Sequence, residues 1–461
     1  MRTIAFHNLG CKVNAYETEK MIKAFADEGY KIVPFDSVAD VYLVNTCTVT
    51  NIADRKSRQM LHRAKKQNPA ALVVAVGCYV EADAKRAQAD PAVDLVIGNE
   101  GKTDVVKRVE EKLISDWSTC GTSVDTMTHD HSPYDDGHGQ ICCIKDICNR
   151  TSDAHNQACP GNDSNLQSLA EQVNSDGTLI HTRAFLKIQD GCNQFCSYCL
   201  IPYVRGRISS RIEEDIIDEV KQMADGGYKE IVLTGIHLSS YGKDLGQKDA
   251  LLPLIRHIAA IDGIERIRLG SLEPRLITES FAGELAEIPE LCPHFHLSLQ
   301  SGSDTVLRRM NRHYKAADYA ESCRILRDHF AHPAITTDVI VGFPQETEEE
   351  FEETRAFLEG LKLYETHIFK YSRRKGTAAD RMEGQLTDAV KARRSDVLQK
   401  LNEENRAIFK KWYSGKTEDV LLEEEIIEDG RVLLTGYTRE YIRVSIPAEG
   451  RNIGDIVPVR L

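Results

Sequence analysis

The sequence predicts an α/β protein in three parts: a doubly wound parallel sheet, a barrel of repeated βα units and a small antiparallel β-barrel. Strand and helix patterns alternate along residues 1–114 and again along 182–413, and this order favours parallel strands. Short β-rich runs punctuated by Gly and Asn follow over 414–461 and predict the antiparallel part. Residues 115–181 are polar and without periodicity, so we expect a flexible insertion or linker there.

Length and charge restrict the class of protein. The 461 residues include 58 Lys and Arg against 71 Asp and Glu, a formal net charge of −13, which argues against indiscriminate nucleic-acid binding. No apolar run approaches the roughly 20 residues of a membrane span, and Met1 leads directly into a strand-like segment. We therefore expect a cytoplasmic protein without a membrane anchor. In that compartment the 13 cysteines favour metal binding or redox chemistry over disulfides.

Three closely spaced cysteines follow the first strand pattern of the central part. Cys192, Cys196 and Cys199 form a C-x-x-x-C-x-x-C array after the apolar run 184–188. Four cysteines are the usual full set for a 4Fe–4S cluster, so three would hold the cluster and leave one iron open. A structural zinc site would be expected to close with a fourth ligand at ribbon spacing, and none follows nearby.

Three further cysteines share one position in the predicted N-terminal sheet. Cys11, Cys47 and Cys78 each stand just past the end of a strand pattern. The carboxyl ends of parallel strands line one crevice of an open sheet, so we expect these thiols to converge. They predict a second three-cysteine cluster site, with three unrelated buried cysteines as the alternative.

The polar insertion contains cysteines and histidines of its own. A C-C-x-x-x-x-C run with histidines close by leaves a metal site open, although no zinc-type pair spacing is present. A linker without ligands is the alternative. The residues concerned are Cys120, Cys142, Cys143, Cys148, Cys159, His131, His138 and His155.

The two cysteine motifs resemble those of a known family. The central array, with Tyr198 before its third cysteine, is similar to the signature of radical S-adenosylmethionine (SAM) enzymes. Three N-terminal segments resemble the first domain of the methylthiotransferases within that superfamily: 10–14, 45–50 and 77–79. Residues 436–444 resemble the TRAM domain that ends these enzymes. The match covers almost all of residues 1–112 and 182–461.

The resemblance implies a radical SAM core, which is often a partial (β/α) barrel of six units, and two 4Fe–4S clusters with SAM as cofactors. In the family, the central cluster serves the reductive cleavage of SAM to a radical, and the auxiliary cluster is thought to hold the sulfur that is delivered. The three cysteines of each motif are the implied ligands. Contacts with SAM are implied for six residues, each with ordinary packing or loop chemistry as the alternative: Tyr198, Thr234, Gly235, Ser271, Glu273 and Gln300.

Segments 10–14 and 54–58 look most like the branch that modifies tRNA. The implied reaction converts N6-threonylcarbamoyladenosine at position 37, in the anticodon arm, to its 2-methylthio derivative. It requires a sulfur source and an electron donor such as flavodoxin or ferredoxin. Contacts with RNA are predicted for a basic helix and for side chains of the last domain: Arg55, Lys56, Arg58, Arg63, Tyr437, Arg439 and Tyr441. Residues 416–461 hold six Lys and Arg against ten Asp and Glu, which counts against a strong electrostatic contact there.

Other functions stay open at this point. Within the family, the alternative substrates are isopentenyladenosine in tRNA and an aspartate of a basic ribosomal protein. An alternative from a different class is an iron–sulfur protein that binds RNA or senses redox state without turnover. SAM cleavage by the reduced protein separates that class from an enzyme, and nucleoside analysis separates the substrates.

Overall fold

A computed structural model of the chain describes residues 1–120 and 182–461. The first part alternates strands and helices, as the sequence predicts. Its elements are β1 (Thr3–Asn8), α1 (Lys12–Asp27), β2 (Lys31–Val33), β3 (Val41–Thr46), α2 (Asn51–Gln67), β4 (Leu72–Gly77), α3 (Cys78–Ala82), α4 (Ala84–Gln88), β5 (Leu95–Ile97) and α5 (Val105–Cys120).

The five strands of this part form one parallel sheet in the order β2-β1-β3-β4-β5. The central strands β3 and β4 are buried along their whole length, because helices cover both faces of the sheet. On one face, Leu43 and Val74 pack with residues of α1 and α5. On the other face, Tyr42 and Val73 pack with residues of α2 and α3. This arrangement is the predicted doubly wound sheet.

The central part contains the longest run of βα units. Its elements are β6 (Arg183–Asp190), α6 (Ile201–Val204), β7 (Ser209–Ser210), α7 (Glu213–Asp225), β8 (Glu230–Gly235), α8 (Leu251–Ala259), β9 (Arg266–Leu269), β10 (Ser271–Leu272), α9 (Glu279–Ala286), β11 (His294–Leu297), α10 (Asp304–Arg309), α11 (Ala316–His329), β12 (Ala334–Val341), α12 (Glu348–Leu361), β13 (Glu365–Lys370) and α13 (Asp388–Tyr413).

These strands form two four-stranded sheets, β7-β6-β8-β9 and β10-β11-β12-β13, in which every pair except β6–β7 is parallel. The two sheets continue into one another because β9 and β10 are separated by Gly270 alone, and Ile267 also bridges to Leu291 just before β11. Residues such as Leu186, Phe295 and Val339 pack between the strands and the helices. Side chains alternate along a strand, so the positions next to these packed residues face the inside of a partial (β/α) barrel.

The last part is a four-stranded antiparallel sheet. It consists of β14 (Thr417–Glu428), β15 (Arg431–Tyr437), β16 (Arg443–Pro447) and β17 (Ile456–Arg460), in the order β16-β15-β14-β17. Val420, Leu422 and Leu434 form its small core. Among the described helices, none combines the length and the apolar character that crossing a bilayer requires.

Candidate functional site

A tight loop after β6 carries the central cysteine motif. Gly191 has a φ of +66°, and a Cβ there would lie 1.9 Å from a carbonyl oxygen of the facing loop, so only glycine fits. Two backbone hydrogen bonds anchor the loop further along: Cys192 donates to Gly206 O at 3.1 Å, and Ser197 donates to Met310 O at 3.0 Å. The protein thus fixes the path of this loop with its own backbone.

Each thiol of this loop accepts a hydrogen bond. Gln194 N donates to Cys192 Sγ at 3.4 Å, and Ile201 N donates to Cys199 Sγ at 3.4 Å. Arg312 Nη1 donates to Cys196 Sγ at 3.3 Å. Burial, together with the neighbouring thiol of Cys196, raises the pKa of Cys199 to about 12. The donors act against this effect because they favour the thiolate, which is the form that binds iron. Three such thiols on one loop suit a cluster that is held by three cysteines.

Arg312 is a site residue that the sequence analysis missed. Its guanidinium also donates to Tyr314 Oη at 2.9 Å and to Ser298 O at 3.3 Å, so it connects the cysteine loop to the segment after β11. A positive charge beside Cys196 stabilises a thiolate there. The residue lies far along the chain from the motif, and no local pattern marks it.

Five of the predicted SAM-contact residues lie at strand ends: Thr234, Gly235, Ser271, Glu273 and Gln300. Gln194, on the cysteine loop, donates to Glu273 Oε2 at 3.1 Å, and His237 Nε2 lies 3.3 Å from the same oxygen. Burial opposes ionisation of Glu273, but His237 and Arg275 outweigh it and lower the pKa of this carboxyl to about 2. A fixed carboxylate beside the cysteine loop is able to accept hydrogen bonds from a ligand.

The predicted SAM-contact residues differ in how far they are buried. Thr234, Glu273 and Gln300 are buried, whereas Ser271 is exposed. The ring of Tyr198 packs against an apolar cluster that includes Val306, Met310, Phe343, Tyr371 and Ala379. Contact of all these residues with SAM, and of Tyr198 with adenine, stays a prediction.

The N-terminal cysteines meet at the carboxyl edge of the first sheet. Cys47 and Cys78 directly follow β3 and β4, and Cys11 comes shortly after the end of β1. A Cβ on Gly10 would lie 2.8 Å from Cys47 Sγ, so the glycine lets two of the cysteine segments approach closely. Burial raises the pKa of Cys47 to about 12, and the charges of Cys11 and Cys78 add to the effect, as expected for thiols that lie close together. The structure therefore brings the three cysteines into one group.

A buried group of charges joins this domain to the barrel. Glu17 of α1 lies 2.6 Å from Lys102 Nζ, 2.8 Å from Lys187 Nζ and 3.0 Å from Arg205 Nη1. Lys187 and Arg205 belong to the barrel, and Arg205 also pairs with Asp190 at 2.9 Å. Both barrel residues flank the central cysteine loop, so this charge hub of five residues, Glu17, Lys102, Lys187, Asp190 and Arg205, fixes one cysteine site relative to the other. Pattern analysis missed it, because its members are distant in sequence.

A second contact between the two domains involves the start of α2. Arg374, in the loop after β13, donates to Thr48 and lies 2.8 Å from Asp54 Oδ2. Asn51 donates to Arg373 O at 3.1 Å. The predicted basic helix is thus fixed against the loop that follows the last barrel strand.

The basic side chains predicted to contact RNA have different surroundings along α2. Arg55 and Arg63 are exposed, but Arg63 pairs with Asp36 at 2.6 Å. The guanidinium of Arg58 lies over the ring of Tyr79, at 5.8 Å from its centroid. Lys56 is half-buried. Arg55 is therefore the most accessible of the four predicted contacts, and the role of all four in RNA binding stays a prediction.

The three side chains of the last domain that are predicted to contact RNA also contact the barrel. The rings of Tyr437 and Tyr441 stack on each other at 4.4 Å, with the guanidinium of Arg183 near both, and only 8% of Tyr437 is exposed. Arg439 donates to Leu291 O of the barrel at 2.7 Å. These three side chains therefore help to hold the last domain on the barrel, and their contact with RNA stays a prediction.

The barrel contributes the matching half of that contact. Arg266 donates to the carbonyl oxygens of Asp419 and Tyr437 at 2.7 and 3.1 Å, and Arg268 donates to Arg439 O at 2.8 Å. Arg268 is also paired with Glu230 at 2.7 Å. Buried arginines of one barrel strand, β9, therefore bind the backbone of the C-terminal sheet.

The possible ligands of the insertion lie outside the described residues. This applies to Cys142, Cys143, Cys148, Cys159 and the three histidines near them, and Cys120 is described only as the last residue of α5. The metal-site hypothesis for this segment stays a prediction.

Two family models match the parts of the chain that carry the cysteine groups. Residues 186–358 match the Radical SAM superfamily, and residues 3–98 match the Uncharacterized protein family UPF0004. Among solved structures, the radical SAM methyltransferase TsrM from Kitasatospora setae, with cobalamin and a [4Fe-4S] cluster bound, is similar with a TM-score of 0.53. The similarity covers 82% of this chain and 77% of TsrM at 15% identity, and it supports the fold alone.

Curated relatives match over the whole chain. The threonylcarbamoyladenosine tRNA methylthiotransferase MtaB of Bacillus subtilis is 37% identical over 100% of this chain and 94% of its own length. The enzyme of the same name from Aquifex aeolicus is 35% identical, with 99% of both chains covered. A tRNA-2-methylthio-N(6)-dimethylallyladenosine synthase of Clostridium botulinum is 32% identical over 98% of this chain and 92% of its own. With relatives of this identity along its full length and a match to the Radical SAM superfamily, the chain belongs to the radical SAM methylthiotransferase family.

Proposed function

We propose that the chain is a tRNA methylthiotransferase that converts N6-threonylcarbamoyladenosine at position 37 to its 2-methylthio derivative. The observation that carries the proposal is the pair of three-cysteine sites, which the charge hub fixes to one another across a domain interface. Full-length relatives named for this nucleoside, at 37% and 35% identity, support it. A relative named for dimethylallyladenosine is more distant at 32%.

We propose two 4Fe–4S clusters and SAM as cofactors, with three thiols of this chain on each cluster. When bound, these cofactors supply the radical and the sulfur that replacing the inert C2–H bond of adenine requires. The hydrogen-bond donors to the central cysteines stabilise their thiolates, and the Glu273 carboxylate would accept hydrogen bonds from bound SAM. The proposed ligands are Cys11, Cys47, Cys78, Cys192, Cys196 and Cys199.

The contribution of the protein is alignment. Reacting groups must meet at near-contact distance, and a misplacement of about 1 Å costs on the order of 100-fold in rate. The charge hub serves this purpose because Glu17 lies on the helix that starts directly after Cys11, while Arg205 and Asp190 lie on the two sides of the central loop. The partners we propose are the anticodon arm, a sulfur source and an electron donor such as flavodoxin or ferredoxin, in the cytoplasm.

Nucleoside analysis tests the proposed function directly. We expect the reconstituted, reduced protein to methylthiolate an anticodon stem–loop that carries N6-threonylcarbamoyladenosine, measured as the 2-methylthio nucleoside by liquid chromatography and mass spectrometry. A stem–loop with isopentenyladenosine and a purified basic ribosomal protein are the comparison substrates. Preference for either of them would contradict the proposed substrate, and failure to cleave SAM would favour a non-catalytic RNA-binding or sensor protein.

Cations beside the interface give a test of RNA binding. We define the basic rim as Arg55 and Arg58 of α2 with Arg373 and Lys375 of the loop after β13, since Asn51 joins these two segments. Changing Arg55→Glu with Lys375→Glu is expected to weaken stem–loop binding. A plot of the logarithm of the association constant against the logarithm of the salt concentration should also become less steep. Its slope should change by about 0.7–0.9 for each phosphate that the protein no longer neutralises.

The control for the basic rim reverses charges on the opposite face of the first sheet. Lys23→Glu with Lys107→Glu changes exposed positions of α1 and α5, whose apolar sides pack on the face away from α2. Binding measured by fluorescence anisotropy at several salt concentrations should separate the two pairs. An equal salt slope for both pairs would exclude the basic rim as an RNA contact.

A further inference from the structure

Three polar side chains on neighbouring strands face the inside of the barrel. His296 lies on β11, Asp338 on β12 and His367 on β13, and the register of the sheet pairs Asp338 with His367. Their sequence neighbours Phe295 and Val339 pack against the helices outside the barrel. Because side chains alternate along a strand, the three polar groups point into the lumen.

The three groups form a compact set. One nitrogen of each histidine and one carboxylate oxygen of Asp338 lie within 4.8 Å of one another. His296 Nε2 is 3.3 Å from Asp338 Oδ2, and His296 Nδ1 is 2.9 Å from Thr336 Oγ1, which fixes the orientation of that ring. The rings of His296 and His367 stack with centroids 5.8 Å apart. Asp338 is half-buried and His367 exposed, so the set is accessible from the lumen.

Lys12 brings a positive charge to this set. It is the first residue of α1, directly after Cys11, and it is half-buried. Within residues 1–120 and 182–461, its ammonium has neither a hydrogen-bond acceptor nor a carboxylate partner. Burial lowers the pKa of His367, the charges of Asp338 and Glu365 oppose this, and the charges of His296 and Lys12 lower it further. The charges of Arg183, Arg268 and Glu230 also act on the ammonium of Lys12. Two of these three groups are positive, so the place favours a bound anion.

We define the lumen cluster as Lys12, His296, Asp338 and His367. Lys12 follows Cys11 of the N-terminal cysteine site directly. The carbonyl oxygen of Asp338 accepts a hydrogen bond from Gln300 N at 2.8 Å, at the predicted SAM edge. We therefore expect a substrate base that reaches both cysteine sites to place its substituents near this cluster.

We infer that the lumen cluster binds the polar arm on N6 of the substrate adenine and excludes apolar arms. The inference rests on the proposed function. A threonylcarbamoyl arm carries a carboxylate for Lys12, and a hydroxyl and N–H groups for Asp338 and the imidazole nitrogens. A dimethylallyl arm offers none of these, so the cluster would be desolvated without partners. The lumen cluster thereby determines specificity for the proposed reaction.

Metal binding is a different use for two imidazoles and a carboxylate, because such a set is a common ligand group for iron and zinc. The charge of Lys12 opposes a divalent cation at this place. It favours an anion, and the carboxylate of the arm is one. The observations therefore favour the organic arm over a metal ion.

The experiment compares two substrates on three proteins. The substrates are anticodon stem–loops with the threonylcarbamoyl arm as its acid or as its uncharged carboxamide. The proteins are the reconstituted wild type, Lys12→Met, and Lys23→Met as the control on the exposed side of the same helix. For the wild type and Lys23→Met, we expect kcat/KM to fall about 10- to 100-fold from acid to carboxamide, the usual effect of a hydrogen-bonded charge. For Lys12→Met, the acid should lose this advantage, with iron content and SAM cleavage unchanged.

A second variant and a metal assay complete the test. His367→Gln changes an exposed side chain and should also lower kcat/KM for the acid. Equal wild-type rates on acid and carboxamide, or equal losses on both substrates in Lys12→Met, would overturn the inference while the proposed function stands. The wild type could also contain zinc or iron in excess of the two clusters. Loss of that excess metal in His367→Gln would overturn the inference in favour of a metal site. If the wild type modifies neither substrate, the proposed function fails and the inference falls with it.

Discussion

Removal of the central thiols, by Cys192→Ala with Cys196→Ala and Cys199→Ala, is expected to abolish SAM cleavage. It should also lower the iron content of the reconstituted protein from roughly eight to roughly four per chain, since each 4Fe–4S cluster contributes four. The physical reason is that three thiols on one fixed loop are the proposed ligand set for the cluster that cleaves SAM. Iron analysis and 5′-deoxyadenosine formation measure the two effects.

The matching N-terminal variant separates the two sites. Cys11→Ala with Cys47→Ala and Cys78→Ala should remove a similar amount of iron and abolish methylthio transfer, while SAM cleavage without transfer remains. Cys323→Ala, a buried cysteine of α11, serves as the control that should keep all the iron. Full iron in the N-terminal triple variant would show that the convergence of these strand ends does not build a cluster site.

Glu17→Gln is expected to destabilise the joined domains by about 3–5 kcal/mol, because it leaves three cations of the charge hub without their shared carboxylate. The partners are well shielded: the side chain of Arg205 is 1% exposed and that of Lys102 is 7% exposed. Misalignment of the two cysteine sites should in addition slow methylthio transfer on the order of 100-fold. Denaturant unfolding and transfer assays measure these effects.

Glu28→Gln is the control for this charge change, since Glu28 is exposed at the end of the same helix. It should leave stability and transfer as in the wild type. If Glu17→Gln kept both, the hub would have no role in alignment. Loss of SAM cleavage as well as transfer would indicate damage to the barrel rather than misalignment.

Local patterns were sufficient to predict most of the fold and both cysteine groups. Residue patterns predict a strand over 95–97, which coincides with β5, and a basic helix over 53–66, which lies within α2. Hydrophobic periodicity and the position of each cysteine after a strand are local features, and they determined these predictions. The parallel order followed from the alternation of elements.

Features that depend on tertiary contacts were not predictable in this way. Hydrophobic periodicity predicts a helix over 18–28, whereas α1 begins at Lys12. Its first turn has no side-chain cap and is held by contacts of Asn14 and Glu17 with the barrel. The charge hub and Arg312 join segments far apart in the chain. The contact of Tyr437 with Arg183 of the barrel was missed as well, because an aromatic near arginine has the same local pattern whether it binds RNA or another domain.

Attachment of the last domain has an evolutionary consequence. Arg266 and Arg268 bind main-chain carbonyls, which every amino acid provides, so substitutions on the solvent side of the C-terminal sheet leave the attachment intact. Its outward surface is therefore free to diversify toward new binding partners while the catalytic barrel stays the same. Related enzymes could in this way acquire different recipients without rebuilding the joint between the two domains.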